Sequence, residues 1–154
     1  MKKKKLIVFC FAALIIIIYQ TFQFIIIKSV ENVKSDFFDT VSGERKEGVD
    51  YGVLIHFDHS DSFEIKTVDT FEFEIHSAFH NNKKGYMIVD YYVCVNDTDK
   101  NNSWGAGNSS SKFYIEKQNN RWVVVKIEEQ FGAVMGVYEV NEEGDITMST
   151  RDLY

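Results

Sequence analysis

The chain contains no proline and only two cysteines, and no acidic residue precedes Lys28. Without proline, no strand loses a backbone donor to a pyrrolidine ring. The cysteines are Cys10, inside an apolar run, and Cys94, far outside it, so they should not meet and no intramolecular disulfide is expected. Cys94 lies in YMIVDYYVCV, which reads as the setting of a small buried hydrophobe rather than an activated thiol. Also missing are a nucleophile elbow, a phosphate-binding glycine loop and a redox cysteine pair.

Between Lys5 and Lys28 there is no charge at all. The run Leu6 to Ile27 is interrupted only by Gln20, Thr21 and Gln23, and as a helix it is about 33 Å long, close to one bilayer core. No small-residue cleavage site follows it, and its length exceeds the apolar region of a secretory signal, so an uncleaved signal anchor is expected. Bulky Val8 and Phe9 before Cys10 argue against a lipid-modified cysteine. The Gly before the run and the early Glu within it that mark a type IV pilin are not there. Lys2, Lys3, Lys4 and Lys5 precede the run and Lys28 alone closes it, which predicts a cytoplasmic amino terminus and a bacterial, single-pass cell-membrane protein.

Residues 1–28 are thus read as cytoplasmic lysines plus anchor, and residues 29–154 as one extracytoplasmic domain of modest core size. Five of the seventeen basic residues lie at or before Lys28 and all 23 acidic residues lie after it, so the outer part carries 12 against 23, a net −11. Such a domain repels phosphate backbones, which excludes nucleic acid as a partner, and as a whole it repels an anionic membrane surface.

Val30, Val33, Phe37 and Val41 share one helical face, and Gly43 stands where that helix can stop. Tyr51, Val53, Ile55 and Phe57 alternate with Gly52, Leu54, His56 and Asp58, which predicts a strand followed by a turn at DHSDS. From Phe63 the alternation lengthens. Ile65, Thr67, Phe71, Phe73, Ile75 and Phe79 fall on one side, and Glu64, Lys66, Glu72, Glu74, His76 and His80 on the other, as in a strand with one wet face. HNNKKG and the apolar GYMIVDYYVCVND complete a hairpin. The stretch DTDKNNSWGAGNSSS reads as a polar loop, Asn119 and Asn120 as the tip of a second hairpin, and VMGVYEV, NEEGD and ITMST as a third. The expected fold is therefore α+β: an N-terminal transmembrane helix, then an amphipathic helix packed on a curved, mainly antiparallel sheet of about six or seven strands.

SKFYIEKQNNRWVVVKIEEQ, with its Trp-Val run, resembles the closing strand pair of the nuclear transport factor 2-like superfamily, and the helix holding DFFDTV and the hairpin from Phe63 to Asn96 fit that order. This chain has one clear helix before the sheet where that superfamily usually has more, and its strands after Gly132 are additional. The resemblance implies a cavity between helix and sheet, in a superfamily that includes both enzymes and non-catalytic binding modules.

Three places carry candidate chemistry. Asp90 interrupts an apolar strand, where a carboxylate needs partners or a proton; with His76 or His80 it could form an acid-base pair in an internal pocket, or it could bond a tyrosine hydroxyl (Tyr86, Tyr92) or a neighbouring backbone group. Asp97, Asp99 and Asn101 have the first three spacings of a calcium loop, but Asn102 stands where that loop needs Gly and Asn108 where it needs Glu. His56, Asp58, His59 and Asp61 are metal-ligand types in a short stretch, but His56 on a strand and His59 in the turn need not converge, and the stretch reads rather as a solvated turn. The triplets at Asn96, Asn101 and Asn108 match the glycosylation pattern and are read as unmodified. No cofactor and no metal are called for. The functional expectation is a membrane-anchored, non-catalytic extracytoplasmic domain that binds another envelope protein or a small ligand, and Glu72, Glu74 and His76 are read as a wet surface and not an active site. The alternatives are a small-molecule enzyme with an internal pocket around Asp90 and a calcium-responsive interaction module.

Overall fold

The computed structural model describes residues 2–58, 65–97 and 103–153. Helix α1 spans Lys2–Ser29, and its segment Ile7–Ser29 has mean hydropathy 2.3 with 11% of its most apolar window buried, so it is long and apolar enough to cross a membrane. At Val30 and Glu31 the helical bonds tighten to three-residue spacing, with the Val30 and Val33 amides donating to Ile27 and Val30. The chain turns there into α2, Asn32–Val41. As the periodicity predicts, Val30, Val33, Phe37 and Val41 are buried.

The strand predicted over 51–57 is instead a 3-10 helix, Gly52–Phe57. Tyr51, Leu54 and Phe57, three apart, are all buried, which suits three residues per turn as well as the alternation suited a strand. Gly52 opens it at φ +55, and a Cβ there would lie 2.5 Å from the Val124 carbonyl, so the helix is pressed onto the sheet where only glycine fits.

Six strands complete the chain: β1 Ile65–His80, β2 Lys84–Asp97, β3 Ser103–Gln118, β4 Arg121–Phe131, β5 Val134–Val140 and β6 Ile146–Asp152. Each is antiparallel to the next, in spatial order β1-β2-β3-β4-β5-β6, giving an open meander among the described residues. Asn119 (φ 47) and Asn120 (φ 66) form the β3–β4 tip as expected, since both take the left-handed conformation that a tight hairpin needs. The segment predicted as a loop up to Ser111 is strand from Ser103 onward. Gly105, Ala106 and Gly107 have little strand propensity of their own and are recruited by pairing with Cys94, Val93 and Tyr92.

β1 keeps its predicted parity from Phe71 to Ile75. Before it, register shifts between Ile65 and Thr67 and between Val68 and Thr70 leave Thr67, expected inside, exposed and bring Val68 against the core. Ile75 pairs with Val89 and Ser77 with Ile88, so His76 is an extra residue and the faces exchange after it. Ala78 enters the core at 0% exposure, while Phe79, expected inside, lies outside at 38% against Tyr86, ring centroids 5.4 Å apart. Cys94 is half-buried on the outer face, not in the core.

The space between α2 and the sheet is filled. Phe37 is at 0% exposure, and its ring centroid lies 4.7 Å from Phe57, 5.3 Å from Phe73 and Tyr91, 6.1 Å from Phe71 and 6.3 Å from Phe113. Beside it the buried Asp36 carboxylate accepts from Asn32 Nδ2 at 2.9 Å and pairs with Arg121, tying α2 to β4.

Candidate functional site

β1, β2 and β3 together present an outer face, turned away from α2. Glu72 stands opposite Tyr92 and Glu74 opposite Asp90, while Tyr92 and Cys94 face Gly107 and Gly105 across the next ladder. Since β3 offers no side chains at its glycines, the sheet surface dips there into an open groove of about 510 Å³. Its lining carries the carboxylates of Glu72, Glu74 and Asp90, the half-exposed ring of Tyr92 and, among the described residues, no lysine or arginine. Gly107 is required at the floor, because a Cβ there would meet Tyr92 Cδ2 at 2.7 Å and the Tyr91 carbonyl at 2.8 Å.

Asp90 sits opposite a bulge. Val89 pairs with Ser111 and Tyr91 with Asn108, so Ser109 and Ser110 both face Asp90. Ser110 takes φ 57, and its N–H donates to Asp90 Oδ1 at 2.6 Å, while Oδ2 lies 2.9 Å from His76 Nε2. The Ser110 amide and then His76 hold the Asp90 carboxyl below its ordinary range, so it stays ionised. An ionised carboxylate is no proton donor. Of the sequence alternatives, the structure joins Asp90 to His76 and to a backbone amide, not to a tyrosine hydroxyl. Nor do they line an internal pocket, as the alternative reading has it: Asp90 and His76, each with 42% of its side chain exposed, lie on the outer face.

His80 is not part of this pair. The bulge at His76 turns it to the opposite face, where its Nε2 lies 2.8 Å from Ser29 Oγ and its ring 4.6 Å from Trp122. Burial, with Lys117 adding, lowers its pKa.

The calcium-loop candidates Asp99 and Asn101 lie outside the described residues, and Asp97 ends β2. His59 and Asp61 likewise lie outside; Asp58 pairs with Arg45, and the His56 ring stacks 4.4 Å from Tyr138. Among the described residues no three His, Cys, Asp or Glu side chains are placed to hold a metal ion.

Besides Asp36, a second buried acid escapes the sequence reading. Glu129 in β4 is 3% exposed and faces the core, where its Oε1 accepts from Tyr91 Oη at 2.5 Å and from Ser111 Oγ at 3.4 Å. Burial raises its pKa, against the opposing pull of those two hydrogen bonds, and burial also raises Tyr91 and Tyr138, with Glu129 adding to both. The available signal was Ile127 and Glu129 on one parity, a lone carboxylate on an apolar row.

A second outer groove lies between Tyr86, Tyr114, Lys126 and Glu139 and carries charges of both signs. Lys126 pairs with Glu128 at 3.1 Å, and Lys112 lies 4.5 Å and 4.7 Å over the Tyr86 and Tyr114 rings. Comparison of the chain with known families, with characterised proteins and with solved structures gives no match.

Proposed function

We propose that this chain is a single-pass cell-membrane protein with a cytoplasmic amino terminus, whose extracytoplasmic domain is a non-catalytic module that binds a cationic segment of another envelope protein in the Glu72–Glu74–Asp90–Tyr92 groove. The observation that carries this reading is the contrast between the two sides of the sheet. The inner side is filled around Phe37, whereas the outer side holds an open groove with three carboxylates, a flat aromatic ring and, among the described residues, no lysine or arginine in its lining. Carboxylates beside an aromatic face suit a lysine or arginine side chain, through ion pairing and cation–π contact together. The four lysines ahead of the apolar run of α1 support the orientation.

Gly105 supplies the test. A Cβ there meets nothing closer than the Val93 carbonyl at 3.6 Å, so Gly105→Leu fills the groove without a backbone clash. Cells lacking the protein are complemented with wild type, with Gly105→Leu and with the triple change of Glu72, Glu74 and His76 to Gln. Both variants should accumulate at the wild-type level yet leave the deletion phenotype in place. Full complementation by both overturns the reading.

A further inference from the structure

The end of the domain that α1 enters differs from the rest. Gln23 Oε1 accepts the Ala78 amide of edge strand β1 at 3.3 Å, Ser29 Oγ lies 2.8 Å from His80 Nε2, and Ile26 is buried at 7% exposure. The last two turns of the apolar helix are therefore packed on the end of β1. A hydrocarbon core of about 30 Å takes about 20 helical residues, which from Leu6 reaches Ile25. Gln23 lies only about 3 Å inside the end of that length, so the strand it binds stands at the boundary between hydrocarbon and headgroups.

The residues beyond Ala78 suit that depth. Exposed Phe79 packs against half-buried Tyr86, and Lys83 and Lys84 stand in the turn after His80 and at the start of β2. The Lys117 amide donates to the Lys83 carbonyl at 2.7 Å, which brings a third exposed lysine alongside. Lys28 is already paired with Glu31 at 2.9 Å, and Glu116 stands opposite Lys84 in the ladder. In an outer part of net −11, lysines gathered at the anchored end reverse the charge locally. Aromatic side chains beside lysines are the composition that settles at a membrane interface.

We infer that this end, through Lys83, Lys84 and Lys117, is a docking surface for the anionic phospholipid headgroups of the chain's own membrane, holding the domain on the bilayer with β6 and the acidic groove left accessible. The inference rests on α1 being the anchor. The full chain is reconstituted into vesicles of phosphatidylglycerol and phosphatidylcholine in equal parts, and into phosphatidylcholine alone. Both are labelled with a membrane-impermeant amine reagent and read by peptide mass spectrometry.

Lys83, Lys84 and Lys117 should label about fivefold more slowly in the anionic vesicles, while Lys126 labels equally in both. The protection should fade at 0.5 M salt, roughly where screening shortens to a few ångströms. Equal labelling of the three lysines in both vesicles, in protein that resists carbonate extraction, overturns the inference and spares the anchor. Extraction by carbonate overturns the anchor and the inference together.

Discussion

Replacing Phe37 with alanine removes the ring around which α2, the 3-10 helix and three strands meet. Fully buried Phe→Ala changes cost about 3–5 kcal/mol, through lost transfer energy and the cavity left behind. Five aromatic rings lie with centroids 4.7 to 6.3 Å from this one, and they come from the 3-10 helix and three different strands, so the void cannot close by the shift of a single side chain. The loss should therefore fall at the upper end, about 5 kcal/mol. Phe38, the next residue, is 37% exposed and makes one edge contact with Phe71 at 5.0 Å. Phe38→Ala should cost about 1.5 kcal/mol, as partly exposed apolar positions do. Guanidinium unfolding of the full chain in nonionic detergent, followed by tryptophan fluorescence and near-ultraviolet circular dichroism, gives both values. Since domains of this kind hold about 5–15 kcal/mol in total, Phe37→Leu serves as an intermediate should the alanine variant not fold. Losses for Phe37→Ala and Phe38→Ala that agree within about 1 kcal/mol would refute a core centred on Phe37.

Gln23→Leu removes the acceptor of the Ala78 amide and leaves that donor unsatisfied, at about 1–3 kcal/mol. Amide exchange at Ala78 should accelerate between about fivefold and a hundredfold, and an unchanged rate would show that α1 does not cover the β1 edge. Glu129 has a raised pKa in the folded chain, so between its unfolded and folded values the unfolded state has lost a proton that the folded state keeps, and stability falls as pH rises through that window. Asp90, held low by the Ser110 amide and His76, gives the opposite slope at lower pH. The check is therefore the difference between wild type and Glu129→Gln: the variant should gain relative stability as pH rises above the ordinary glutamate range, and a flat difference would mean that Glu129 is solvated.

The features legible in the sequence are those whose causes are local. Val30, Val33, Phe37 and Val41 announce α2 by spacing alone, and the turns at Asn119–Asn120 and Gly144 are set by residues that accept positive φ. The features that escaped depend on a partner strand. The bulge at His76, which exchanged Phe79 for Ala78 in the core, exists only relative to Val89 and Ile88. β3 begins at Ser103 because β2 is long enough to recruit it, whatever the propensity of Gly105 and Gly107. The same holds for the site. Glu72 and Glu74 were visible as one parity of β1, but the groove needs glycines from β3, and the fixed position of Asp90 on β2 needs the Ser110 amide, twenty residues away. Glu129 reads as a surface acid until Tyr91 and Ser111, on β2 and β3, are known to face it.

Whether the open outer groove, and not the inner face, receives a cationic partner is decided most directly by a residue-resolved amide chemical-shift titration of the full chain in detergent with a tetra-arginine peptide. Saturable shifts are expected at Glu74, Tyr92, Gly105 and Gly107, absent from Gly105→Leu, with Met87 and Val89 on the inner face of β2 unmoved. Shifts centred on Met87, Val89 or Phe113, or a pattern in Gly105→Leu identical to wild type, would rule the groove out as the receiving surface.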